Sequence, residues 1–196
     1  MGTTLTADQI VGDATYRGQR FDGFDLKHRH LENGVFDGCS FAGADLTAAR
    51  FNASVFTSCD LSGARIGGCT YFAASFQNCK MLGWDVREGV NLTATTFVGC
   101  DLAYSVFRGV SLAKMDFERC SFVEADLSLA DLRDASFLDC DLSNVDLRET
   151  AFARTDLRGA TLAGWNPRRH DLAGTIMSPS QAIALVTELG IWIEER

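Results

Sequence analysis

The sequence predicts an all-β fold, a square parallel β-helix with about 20 residues in each coil, which ends in an α-helix and a short strand. The first observation that predicts it is a period of five. Every fifth residue is apolar from Phe21 to Val86 and again from Leu92 to Leu162. This period matches neither a flat strand nor an α-helix. It requires a backbone that turns a corner once per repeat.

The second observation is that the residue two positions before each apolar centre is small in most repeats, as at Cys39, Ala44 and Ser54. Residues two apart in an extended segment point to the same side, so each five-residue side directs one large and one small side chain inward.

The third observation is that phenylalanine recurs at every fourth repeat once one inserted residue is allowed for, at Phe36, Phe56, Phe76, Phe97, Phe117 and Phe137. Four sides of five residues therefore make one coil, and like residues stack to fill a narrow core.

Six of the seven cysteines recur at the same interval, at Cys39, Cys59, Cys79, Cys100, Cys120 and Cys140. All seven, including Cys69 on the opposite side, take the small inward positions, where we expect reduced thiols that fill the core. The Cβ vectors of stacked neighbours run parallel, which disfavours disulfides. No C-x-x-C pair occurs, which disfavours a metal site. Free thiols and the lack of an apolar amino-terminal run favour a cytoplasmic protein.

The repeat is interrupted once, between Val86 and Leu92, where the spacing is six. Trp84 occupies the preceding small position. One extra residue beside an oversized one predicts a local bulge, with Gly89 at positive φ. A simple variation of the corner is favoured over a functional loop.

Beyond the repeats, Ser178 as N-cap, Pro179 at the first helical position and Gln181 as partner in a capping box predict a helix that Gly190 ends. The alternating apolar residues at 191–193 predict a short strand. We therefore divide the chain into an amino-terminal cap at 1–13, a β-helix at 14–172 and a carboxyl-terminal module at 173–196.

The carboxyl-terminal module is expected to cover the last open coil, because an uncovered edge invites aggregation. Its apolar surface exceeds what one narrow coil end covers, which predicts a homodimer. The residues expected at that interface are Leu185, Val186, Leu189, Ile191, Trp192 and Ile193.

Repeated A-D-L units at 44–46, 125–127 and 130–132 give the chain a resemblance to the pentapeptide-repeat family over about residues 14–172. That resemblance implies a right-handed quadrilateral β-helix. The tail from Met177 to Ile193 and the C-K-M-L-G segment at 79–83 resemble the Qnr and MfpA branch. The branch implies a two-fold dimer whose rod imitates duplex DNA, binds DNA gyrase or topoisomerase IV and counters fluoroquinolones. With one inserted residue instead of long loops, the chain is closer to the loop-free MfpA type.

The net charge of −8, from 26 acids and 18 bases, disfavours direct binding of nucleic acid and permits binding to a basic protein surface. Ten acids and four bases lie between residues 92 and 147. Those coils span roughly 13 Å of rod, about one net charge per 2.2 Å, compared with about one per 1.7 Å in duplex DNA. The acids expected to contact a partner are Asp45, Asp85, Asp101, Asp116, Glu124, Asp126, Asp141 and Asp146.

Other interpretations stay open at this stage. In one alternative, the acids only keep the protein soluble, and several of them are neutralised by nearby arginines. In another, the protein is a scaffold whose acids bind some other basic protein. No catalytic grouping, phosphate loop or cofactor motif stands out from the repeats, so an enzyme is disfavoured. An ice-binding face is disfavoured because the threonines do not align. The basic stretch 27–30 and His170 are interpreted as solvated surface.

Overall fold

The computed structural model describes residues 6–87, 89–169 and 171–194, and it confirms the predicted solenoid. One parallel sheet runs along the molecule in the order β1 to β7. Its strands are β1 Thr15–Arg17, β2 Val35–Asp37, β3 Val55–Thr57, β4 Ser75–Gln77, β5 Thr96–Val98, β6 Asp116–Glu118 and β7 Ser136–Leu138. Short 3₁₀ helices lie at Ala7–Gln9 and Pro167–Arg169, and one α-helix, α1, spans Pro179–Glu188.

We number the sides of each coil in chain order. Face 1 carries the strands and is centred on residues such as Phe117. Face 2 is centred on residues such as Phe122, face 3 on residues such as Leu127, and face 4 on residues such as Leu132. Faces 2 to 4 are held by single parallel bridges, of which the first are Arg20 to Ser40, Asp25 to Asp45 and His30 to Arg50. The strands pair equivalent residues of successive coils, as in Phe36 with Phe56.

The apolar centres fill the interior as the period predicts, and those from Phe21 to Leu157 are buried. Along face 1 the phenylalanine rings stack, with centroids 4.9 Å apart for Phe36 and Phe56 and 5.0 Å apart for Phe117 and Phe137. Parallel strands in register place identical rings one coil apart, so offset stacking needs no change of rotamer between coils.

All seven cysteines are free and buried, as predicted. The thiol of Cys59 donates a hydrogen bond to the carbonyl of Phe36, 3.3 Å away, and Cys69 donates in the same way to Leu46. The hydroxyl of Ser54 makes the equivalent bond to Leu31. The small inward position therefore accommodates a compact residue, and at Cys59, Cys69 and Ser54 the side chain also donates to the coil before it. Burial raises the pKa of the Cys69 thiol to about 12.

The inserted residue is absorbed at one corner. Phe76 pairs with Phe97, so the coil between them is longer by one residue than the coil between Phe56 and Phe76. Gly89 has φ of +71°, as predicted. Trp84 is fully buried, stacks on Tyr71 with centroids 5.5 Å apart and donates its indole N–H to the carbonyl of Leu61. The inserted stretch includes Glu88, which lies outside the described residues.

The corners of the coil use a left-handed backbone conformation. The second residue after a centre has positive φ, whether it is a glycine such as Gly83 (+69°) or another residue such as Asn144 (+56°). This conformation is inexpensive for glycine and tolerable for asparagine, and it is unfavourable for large side chains.

The predicted capping box is confirmed at the start of α1, where Ser178 accepts from the backbone N–H of Gln181. The Gln181 amide also donates to the carbonyls of Leu157, at 2.6 Å, and Ala160, at 2.8 Å, which ties the helix to the last coil. The strand predicted at 191–193 is wrong, because these residues pair with no neighbouring strand in the described chain. The exposed fraction of the Trp192 side chain is 93%.

None of the helices in the described ranges is long and apolar enough to cross a membrane. His170, expected at the surface, falls outside those ranges.

Candidate partner-binding surface

Face 3 brings together a column of aspartates, as the spacing predicts. Successive bridges join Asp25 to Asp45, Val106 to Asp126 and Asp126 to Asp146, and another joins Asp85 to Val106. Four of the eight predicted contact residues, Asp45, Asp85, Asp126 and Asp146, therefore line one side of the rod.

These four aspartates are all paired with cations. The closest nitrogen-to-oxygen distances are 2.6 Å for Arg87 with Asp85, 2.5 Å for Arg148 with Asp146, 2.8 Å for Arg108 with Asp126 and 3.3 Å for Lys27 with Asp45. The hydrogen bond from Arg148 lowers the pKa of Asp146, and that from Arg87 lowers the pKa of Asp85. Face 3 therefore has little uncompensated negative charge.

For Asp85 and Asp146 the pairing has a local cause in the turn that follows the aspartate, whereas Asp45 and Asp126 pair with cations of a neighbouring coil. The Asp146 carboxylate accepts the backbone N–H of Arg148, two residues on, at 3.1 Å. This Asx turn fixes the carboxylate beside the chain and brings the Arg148 guanidinium against it. The same arrangement joins Asp131 to Arg133 on face 4 and Asp156 to Arg158 on face 1. The sequence signal is the triplet D-L-R, which predicts a neutral pair where the aspartate alone suggested a free charge.

Faces 1 and 2 carry acids of a different kind. Asp101 and Asp141 lie on face 2, Asp116 is exposed on β6 of face 1, and Glu124 is exposed at the corner between faces 2 and 3. Asp139 adds a fifth carboxylate at the corner between faces 1 and 2. Across residues 6–87, 89–169 and 171–194, none of these five has a cationic nitrogen within 4 Å.

The two acids of face 2 also cap turns, but their partners are neutral. Asp101 accepts the N–H of Ala103 at 3.2 Å, and Asp141 accepts the N–H and hydroxyl of Ser143. Serine and alanine stand where the turns of Asp85 and Asp146 have arginine, so no cation from their own turn pairs with these two carboxylates. The charge excess of the coils between residues 92 and 147 is concentrated on faces 1 and 2.

The residues predicted for dimerisation lie together at the carboxyl end. Leu185 and Val186 on α1 and its C-cap Leu189 are half-buried, whereas Ile191, Trp192 and Ile193 are exposed. A groove of about 620 Å³ separates α1 from the last coil and is lined by Trp165, Ala184 and Leu185 among others. The module leaves an apolar surface that one chain does not cover.

Basic side chains of the stretch 27–30 bind groups of this same chain. Arg29 donates to the carbonyls of Asp8 and Ile10, and so ties down the amino-terminal cap, while Lys27 contacts Asp25 and Asp45. In the described part of the chain, no three His, Cys, Asp or Glu side chains form a metal-ligand set.

Comparison with solved structures supports the fold. The chain matches QnrB1, a plasmid-mediated fluoroquinolone resistance protein, with a TM-score of 0.78 and 23% identity over 95% of this chain and 94% of that one. A trypsin-treated form of QnrB1 matches with a TM-score of 0.67 and 26% identity over 95% and 92%. HetL, a pentapeptide-repeat protein involved in heterocyst differentiation regulation in the cyanobacterium Nostoc, matches with a TM-score of 0.58 and 22% identity over 85% and 77%.

No curated protein sequence matches the chain. Two family models do match it: the pentapeptide repeat region at residues 69–147 and the nine-copy pentapeptide repeats at residues 36–80. Together they span residues 36–147, more than half of the chain, and the fold agrees with that of a Qnr protein. The chain is therefore a pentapeptide-repeat protein.

Proposed function

We propose that this protein is a non-enzymatic DNA mimic that binds DNA gyrase or topoisomerase IV, modulates its activity and counters fluoroquinolones or other topoisomerase poisons. The observation that carries the proposal is the group of five carboxylates, on faces 1 and 2 and at their corners, that form no ion pair within the described residues. The likeness to QnrB1, a fluoroquinolone resistance protein, supports the choice of partner.

Negative charge on two adjoining faces of a rod is complementary to a protein groove that binds DNA. A DNA-binding groove presents basic side chains to both strands of a duplex, and its affinity depends on neutralising regularly spaced negative charges. Asp101 and Asp141 are two coils apart on face 2, roughly 10 Å along the axis. Asp116 and Asp139 extend the same field onto face 1, so a groove that wraps around the rod meets carboxylates over two sides.

The partner-binding form is proposed to be a homodimer joined through the carboxyl-terminal module. Trp192 is almost fully exposed, and a second copy would cover it together with Ile191 and Ile193. Trp192→Arg is expected to convert a dimer into a monomer in sedimentation analysis, because a charged group does not desolvate at an apolar contact. A wild-type protein that sediments as a monomer at tens of micromolar would contradict this part of the proposal.

The decisive experiment is a supercoiling assay with purified gyrase and micromolar protein, with and without a fluoroquinolone. We expect supercoiling to fall as the protein is added, and drug-induced cleavage to fall with it, because the rod and DNA compete for one groove. If gyrase is indifferent and pull-down from lysate recovers a different basic protein, the chain is an acidic scaffold for that protein instead.

A further inference from the structure

Two large apolar side chains are exposed at corners of face 3. Tyr104, at the corner between faces 2 and 3, has an exposed fraction of 58%, and Leu129, one coil further on at the corner between faces 3 and 4, has 53%. Val106 lies on the face between these corners, in the column that carries aspartate at most of its other positions and arginine at Arg65. We call these three residues the apolar patch.

The backbone at both corners disfavours large residues. Tyr104 has φ of +60° and Leu129 has φ of +62°. A side chain with a Cβ is strained in this left-handed region, and bulky residues are rare there. The coil imposes the same conformation at other corners, for example at Lys114 and Arg119, so it sets a cost for a large residue but does not by itself indicate a function.

Packing within the chain does not require either side chain. The corner that Tyr104 occupies is glycine in the four preceding coils, at Gly23, Gly43, Gly63 and Gly83, and a Cβ on any of these would meet nothing within 4 Å. Gly109 stands one coil before Leu129 at the same corner, and the space around it is equally open. The fold is thus complete at these corners without a side chain.

The surroundings of the patch indicate its partner. The backbone N–H of Tyr104 pairs with Val123, so Glu124 follows Tyr104 one coil on at the same corner and borders the acids of face 2. On the other side lies Asp126, whose charge is compensated by Arg108 at 2.8 Å. Protein interfaces combine an apolar centre depleted of net charge with a charged rim, and aromatic side chains carry much of their binding energy.

We infer that the apolar patch is the anchor through which this rod holds the basic groove of its protein partner, with the acids of faces 1 and 2 forming the charged rim. The inference rests on the proposed function, because it assigns the patch to the same type II topoisomerase. The groove is expected to offer an apolar contact for the Tyr104 ring and a second one for Leu129, roughly 10 Å away across the face. DNA has no equivalent of these side chains. Their apolar contacts therefore add affinity for the groove beyond what the carboxylates alone supply.

The test uses the full-length double variant Tyr104→Gly, Leu129→Gly and measures binding to gyrase and inhibition of supercoiling. We expect affinity to fall at least about tenfold, as for loss of a binding hot spot. The melting temperature should be unchanged or higher, since glycine removes the left-handed strain. A structural role for these residues would instead lower the melting temperature.

Two matched controls accompany the double variant. Ala94→Gly removes a side chain at another exposed left-handed corner (φ +58°), and Phe72→Ala removes an exposed aromatic ring from face 4. Both controls should bind like the wild type. If the wild type inhibits gyrase and the double variant inhibits it equally well, the patch is not the anchor and the proposed function stands. If the wild type does not bind gyrase at all, the proposed function and the patch assigned to it are both overturned.

Discussion

The carboxylates of face 3 and those of faces 1 and 2 occupy similar repeat positions but differ in their electrostatics. Asp126 and Asp146 on face 3 each contact an arginine, whereas Asp101 and Asp141 on face 2 accept hydrogen bonds from neutral groups and form no ion pair within the described residues. The difference lies in the neighbouring residues of each turn and in the coil beside it. One repeat position thus serves two purposes: a neutral pair that closes a turn, or a free charge that a partner can neutralise.

The largest expected effect comes from neutralising the free acids. The triple variant Asp101→Asn, Asp116→Asn, Asp141→Asn should weaken gyrase binding at least about tenfold at low salt and flatten its salt dependence, because three charges that attract the partner are lost. Asparagine keeps the oxygen with which Asp101 and Asp141 cap their turns, and Asp116 is exposed on β6, so folding should be unaffected. Binding measured across a series of salt concentrations checks this.

The matched control carries the same change in net charge on the ion-paired side, as Asp85→Asn, Asp126→Asn, Asp146→Asn. This variant should bind within a few-fold of the wild type, and its melting temperature should fall, because three arginines lose their partners. Equal losses of affinity in both triple variants would mean that net charge alone matters, and the distinction between the faces would be lost.

A smaller effect is expected from pH. Hydrogen bonds from Arg87, Arg133 and Arg148 lower the pKa values of Asp85, Asp131 and Asp146. A lowered pKa in the folded state contributes stability that is present above the unfolded value of about 3.9 and is lost as pH falls through the folded value. The melting temperature should therefore fall modestly below about pH 4, since exposed pairs are weak.

The matching variant is Arg87→Gln, Arg133→Gln, Arg148→Gln, which keeps the aspartates and removes their cations. Its melting temperature should start lower at neutral pH and change less on acidification than that of the wild type. A wild-type melting temperature that is flat from pH 7 to pH 3 would show that these pairs contribute nothing to folding.

The local sequence pattern was sufficient to predict most of the architecture. The apolar period from Phe21 to Leu162, the recurrence of phenylalanine and the capping residues around Pro179 each report on contacts made by one residue with its nearest coils. The short strand at 191–193 was predicted wrongly, because alternation indicates a tendency to extend and says nothing about whether a free edge is available. In the described part of this chain no such edge pairs with it.

The candidate surface was predictable only in part. The sequence placed the aspartates in columns, because a fixed period fixes the face on which each residue lies. It did not separate free charges from paired ones, because pairing depends on contacts between coils as well as within a turn. Arg108, for example, reaches Asp126 in the next coil, and Arg154 reaches Asp134 in the preceding one.

The sequence by itself determined that the chain coils, how long each coil is and which side chains face inward, because each of these follows from a short repeat and the geometry of extended backbone. The tertiary structure was needed to show which other carboxylates take a cation from a neighbouring coil, as Asp126 does from Arg108, and that Tyr104 and Leu129 are exposed. Those properties depend on contacts between residues about a full coil apart, which no local pattern records.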